Sequence, residues 1–166
     1  MGVAPIMVIM GAIYHWYPKM TGRMLDEQMG KIHFWVTFVG SYLIFFPMHY
    51  VGLVGVPRRY PELGDSAFIP ESVATLNSFI SVAAFVVGFA QVLFIYNLIS
   101  SLRNGQLAGH NPWRATTLEW QTPQTPPGHG NFDELPLVYR WPYDYSVPGA
   151  PEDFLAQNDP GQRTAE

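Results

Sequence analysis

Two adjacent arginines, Arg58 and Arg59, follow Pro57 at the end of a long uncharged run. Guanidinium groups present planar forks of N–H donors that match carboxylates and phosphates. One reading of the pair is recognition of an anionic group. The other is snorkelling to water, or pairing with Glu62 and Asp65. The histidines offer less. His33 and His49 lie on one expected helix and stand about 24 Å apart along its axis, too far to share a metal ion. No His-x-His or His-x-x-x-His pair occurs among the five histidines. His33 is expected at an interface and His49 in a hydrogen bond within a helix bundle. With no cysteine there is neither a thiolate metal site nor a disulfide. The scattered methionines, Met7 to Met48, read as packing. Neither a glycine-rich phosphate loop nor a Ser–His–Asp spacing is present, and no basic patch suggests nucleic acid.

The elements that carry these residues are set by charge-free length. Ile32 to Pro57 contains no Asp, Glu, Lys or Arg, and neither does Ser72 to Leu102. A bilayer core of about 30 Å is crossed by about 20 helical residues, so both runs are long enough to span. Asn77, Ser78, Ser81, Gln91 and Asn97 in the second run call for protein neighbours rather than lipid, and Ala84 with Gly88 forms a small-xxx-small step. Pro47 removes a backbone donor and is expected to bend the first run. The apolar stretch Met1 to Tyr17 is slightly short for a span and ends in the aromatic cluster His15-Trp16-Tyr17. It is either an interfacial segment or the second half of a helix begun on another piece of chain. The expected transmembrane part is 1–102, with helices at about 1–17, 31–56 and 71–102. A proline-rich, extended arm at 103–146 and a disordered tail at 147–166 follow.

Charge orients these elements. Lys19, Arg23, Lys31, Arg103 and Arg114 fall on one side of the two crossings, and Arg58 and Arg59 on the other. The positive-inside rule then puts the first side, and the C-terminus, inside.

The stretches Lys31-Ile32-His33-Phe34-Trp35, Phe45-Phe46-Pro47-Met48-His49-Tyr50 and Gly52-Leu53-Val54-Gly55-Val56-Pro57-Arg58-Arg59-Tyr60 together closely resemble subunit I of the aa3-type haem–copper oxidases. Gly11 to Gly22 matches the end of that family's tenth helix, Asn77 to Ser81 its twelfth, and Ala115 to Trp120 and Leu135 to Tyr139 its C-terminal arm. The resemblance covers roughly Gly2 to Ser146. It implies an all-α membrane protein consisting of a partial tenth helix, the eleventh and twelfth transmembrane helices and the arm.

The family is a twelve-helix subunit with two haems and a copper. It reduces O2 to water with electrons from cytochrome c and pumps protons. The resemblance gives Arg58 and Arg59 the role of bonding the haem propionates. The family's haem ligands, a His-x-His pair, and its copper ligands lie upstream of the matched region. The resemblance therefore implies that haem and copper are ligated by the remainder of subunit I, and that this chain is not active alone. Expected partners are that remainder, subunits II and III, cytochrome c as donor, and the lipid bilayer. The expected location is a bacterial cytoplasmic membrane, with the mitochondrial inner membrane as the alternative. A quinol oxidase of the same superfamily, or an accessory protein derived from subunit I, are the competing functions.

Overall fold

A computed structural model describes residues 3–57, 70–123, 126–144 and 152–160. Three helices follow one another: α1 (Val3–Thr21), α2 (Glu27–Leu53) and α3 (Glu71–Asn104). A single 3-10 turn, Leu118–Trp120, lies in the arm, and no strand occurs among the described residues. Chain contacts define two compact units, Met1–Pro5 with Asp26–Ser100, and Ile6–Leu25 with Ser101–Glu166.

In the first unit, α2 and α3 are 27 and 34 residues long, about 40 and 51 Å at 1.5 Å per residue. Both are long and apolar enough to cross a membrane. The α2 helix begins four residues before the expected start. Asp26, extended at φ −66° and ψ 120°, caps it by accepting from the Met29 N–H at 2.8 Å. Glu27 and Lys31 then pair at 2.8 Å across one helical turn, both exposed. Charge-free length misses this turn because its first residues are charged. The helix runs unbroken through Pro47 and stops at Leu53, where Gly55 adopts φ +94°. A left-handed conformation of this kind carries no Cβ penalty in glycine, which makes it a natural stop.

The two helices pack antiparallel. Asp26 meets Asn97 near one end, and Val51 meets Val73 and Ile80 near the other, where Ile44, Val56 and Leu76 complete an apolar cluster. Between these, a Cβ added at Gly40 would lie 2.2 Å from Val87 Cγ2, so only glycine lets the backbone of α2 approach α3 there. The close contact of α2 with α3 is thus at Gly40, while the Ala84–Gly88 step faces away from α2. Both of those residues are exposed, and a Cβ at Gly88 would meet nothing within 4 Å. Large apolar side chains on the outer faces, among them Trp35, Tyr42, Phe46, Phe85 and Phe89, are exposed, as suits a lipid-facing or bundle-facing surface.

In the second unit, α1 continues past the expected end at 17, through Pro18 to Thr21. The Pro18 carbonyl still accepts from the Gly22 N–H at 2.8 Å, and Gly22 at φ +71° ends the helix. The residues that follow pair with the start of the arm: Met24 N–H donates to Gln106 O and Ala108 N–H to Gly22 O, at 2.8 and 2.9 Å. Arg23 Nη1 adds a bond to Gly105 O at 2.8 Å. Gly105 must be glycine here, since a Cβ would sit 2.4 Å from the Ser101 carbonyl oxygen and 2.8 Å from that of Met24.

Within the tail, residues 152–160 are hydrogen-bonded to the arm. Gln157 N–H donates to Thr116 O, and Tyr139 N–H donates to Gln157 O, both at 2.9 Å. A low-hydrophobicity segment is held in place by backbone pairing to the arm, which composition does not reveal.

Gly40→Ala is expected to destabilise the chain by about 1–3 kcal/mol through overpacking. Adding Val87→Ala recovers much of that loss, and thermal unfolding of the full chain in mild detergent measures both.

Candidate functional site

Arg58 and Arg59 lie outside the described residues. What is described is the turn that precedes them. Val54 N–H bonds Tyr50 O at 3.1 Å, Gly55 N–H bonds Gly52 O at 3.0 Å, and Val56 N–H bonds Val51 O at 3.4 Å. Val51 is buried, and Val56 packs on the same cluster as Val73 and Ile80. The last residues before Pro57 are therefore anchored to α3 by apolar burial and a closed turn.

A polar group lies between the two spanning helices. His33 is 2% exposed and stacks on Phe94, ring centroids 4.9 Å apart. Its Nε2 lies 3.2 Å from Gln91 Oε1. Gln91 Nε2 donates to Thr37 Oγ1 at 3.2 Å and to the Val87 carbonyl at 3.1 Å. A carbonyl only accepts, so the amide nitrogen must face Val87 and the amide oxygen must face His33. That arrangement puts the His33 proton on Nε2. Of the two histidines, it is His33 that is buried between α2 and α3. His33 makes the interhelical hydrogen bond, whereas His49 is exposed and its Nδ1 bonds the Phe45 carbonyl of its own helix at 2.8 Å. Gln91 and Asn97 do find protein partners, but Ser78 and Ser81 bond Ala74 O and Asn77 O one turn back. Thr37 was not singled out in the sequence. Its place one turn after His33 on the same face was the available signal.

Asn97, 1% exposed, closes the end of the pair where α2 begins. Its Oδ1 accepts from the Asp26 N–H and its Nδ2 donates to Asp26 O, each at 3.0 Å. A side-chain amide here mimics a backbone pair and satisfies the residue that caps α2.

In the second unit, His15 is flanked by three tryptophans. It stacks on Trp113 at 5.9 Å and meets Trp16 and Trp120 edge-on at 5.8 and 5.2 Å. The Trp16 indole N–H donates to the Glu119 carboxylate, and that of Trp113 to the His15 carbonyl. Lys19 lies over the Trp120 ring at 5.2 Å and donates to Thr122 Oγ1 at 3.3 Å. These contacts bind the arm to the end of α1.

Among the described residues, no group of three or more His, Asp or Glu side chains converges to hold a metal ion. The fold is that of an all-α membrane protein with two spanning helices and a polar arm.

Residues 1–86 match the family model described as Cytochrome C and Quinol oxidase polypeptide I. The chain belongs to that family. It is 71% identical over 161 residues to alternative cytochrome c oxidase subunit 1 of Bradyrhizobium diazoefficiens, covering 96% of this chain and 27% of that protein. It is 44% identical over 139 residues to cytochrome c oxidase subunit 1 of Synechocystis sp., covering 84% of the chain and 24% of the relative. The corresponding protein of Thermostichus vulcanus is 45% identical over 135 residues, 81% of the chain and 23% of the relative. The chain thus spans about a quarter of the length of these curated relatives.

Gln91→Leu is expected to leave the buried His33 Nε2–H and the Thr37 hydroxyl without their amide partner. It should cost about 1–3 kcal/mol in thermal unfolding of the detergent-solubilised chain. An unchanged unfolding temperature would contradict the bonded arrangement.

Proposed function

We propose that this chain forms the C-terminal portion of subunit I in a proton-pumping terminal oxidase that reduces O2 to water. The observation that carries the reading is the family match over residues 1–86, which includes Arg58 and Arg59. The relatives' names favour cytochrome c over quinol as electron donor. On this reading α1 is the second half of the tenth helix, and α2 and α3 are the eleventh and twelfth.

Arg58 and Arg59 hold the propionates of two haems. Two fixed positive charges suit two carboxylates, and charge-assisted bonds to a guanidinium fork are short and directional. Support for the reading comes from the closed turn at Gly55, the burial of Val51 and the packing of half-buried Val56 just before the pair. Haem and copper, ligated by the remainder of subunit I, supply electron transfer and O2 chemistry when bound. This chain's own part is to orient the propionates, neutralise them and close the haem region from the outer side. Subunits II and III are its further partners. The C-terminus lies on the inner side of a bacterial cytoplasmic membrane, supported by the charge asymmetry of the loops.

Removing a positive charge next to a haem stabilises its oxidised form. Arg58→Gln and Arg59→Gln in the assembled oxidase should therefore each lower a haem midpoint potential by tens of millivolts. About 59 mV corresponds to a tenfold change for a one-electron couple. Arg→Lys should recover part of the shift, because charge is kept while the fork is lost. Redox titration of the purified complex measures this, and unchanged potentials with unchanged proton pumping in both Gln variants would overturn the assignment.

A further inference from the structure

The segment 152–160 carries little apolar burial. Residues 152–154 are exposed, Phe154 at 56%, and 155–159 are only half-buried. Burial alone does not hold it in place. Gln157 does, because all four of its polar atoms are engaged by two separate stretches of the arm. Towards the first stretch, Gln157 N–H donates to Thr116 O at 2.9 Å, and Gln157 Oε1 accepts from Leu118 N–H at 3.0 Å. Towards the second, Gln157 O accepts from Tyr139 N–H at 2.9 Å, and Gln157 Nε2 donates to Arg140 O at 3.5 Å. The two stretches also touch directly, where Thr116 Oγ1 donates to Pro142 O at 2.6 Å. Arg140 Nη2 adds a bond to Asp159 O at 3.2 Å, and a turn from Asp159 N–H to Ala156 O at 3.0 Å shapes the segment around Gln157.

We propose that residues 152–160 are a latch, with Gln157 as its bolt, that holds the two stretches of the arm, 116–118 and 139–142, in register. Opening the latch frees two backbone donors, Leu118 N–H and Tyr139 N–H, and two acceptors, Thr116 O and Arg140 O. The closed state rests on hydrogen bonds worth only about 0.5–1.5 kcal/mol each in net terms. A latch held in that way opens without unfolding the helices, since local openings draw on the least buried parts of a structure. This inference is independent of the role given to Arg58 and Arg59.

Amide hydrogen exchange of the full chain, in the detergent-solubilised oxidase, tests it. In the unsubstituted protein Leu118 and Tyr139 are expected to exchange well below unfolded-chain rates. Gln157→Ala removes the side-chain bonds and should speed exchange at Leu118 by about fivefold, the loss of one net hydrogen bond. Gln157→Pro also removes the N–H that bonds Thr116 O, and should speed exchange at both Leu118 and Tyr139. Asn158→Ala, one residue on, should leave both unchanged. Exchange at Leu118 and Tyr139 that is the same in the Gln157 variants as in the unsubstituted protein would overturn the latch. So would unfolded-chain exchange rates at these amides before any substitution.

Discussion

The approach of α2 to α3 at Gly40 is the constraint on which the membrane part depends. Two helices in lipid gain little from hiding apolar side chains, because the lipid tails are apolar too. They associate through close backbone approach, dispersion contacts and satisfied polar groups. Gly40 supplies the first, since any Cβ there would collide with Val87. The apolar cluster of Val51, Val73 and Ile80 supplies the second at the end where α2 stops. The His33–Gln91–Thr37 bonds supply the third between Gly40 and the start of α2, and Asn97 with Asp26 at that start. Each contact fixes the register of the next, so the pair has one antiparallel alignment.

That alignment gives the turn after α2 a defined starting point. A helix end in a membrane is costly unless its carbonyls are satisfied. Here the chain closes a tight turn through Gly55 and packs half-buried Val56 against α3 before reaching Pro57. In the oxidase we propose, a pair of arginines that must meet two fixed carboxylates gains from such an anchored approach. In the second unit, Trp113 and Trp120 of the arm are tied to His15 and Lys19 at the end of α1 by ring stacking, a cation–π contact and a hydrogen bond.

Charge-free length was enough to find α2 and α3, because a spanning helix must exclude charge from its middle. It misjudged their ends. Asp26 and Glu27 are charged yet belong to the first turn of α2, where a carboxylate cap is favoured. The apolar stretch set the expected end of α1 at Tyr17, but the helix continues through Pro18, whose carbonyl still closes the last turn. The roles of His33 and His49 could not be told apart, since which histidine is buried depends on what faces it from α3. Gly40 was passed over for the same reason. Gln157 is the extreme case. Nothing in a stretch rich in Ala, Pro, Asn and Asp marks one glutamine as the partner of residues some forty and some twenty positions earlier. Arg58 and Arg59 were legible as an anion-binding candidate from residue type and position alone, and the family resemblance named the anion.

The central claim is that this chain works as part of an oxidase subunit I. The most direct measurement is to isolate it by affinity tag from membranes solubilised in mild detergent, identify the accompanying polypeptides by mass spectrometry and record the reduced-minus-oxidised optical spectrum. The account predicts haem absorption together with oxidase polypeptides that supply the haem and copper ligands. Recovery of the chain in folded form without haem and without oxidase partners would contradict it.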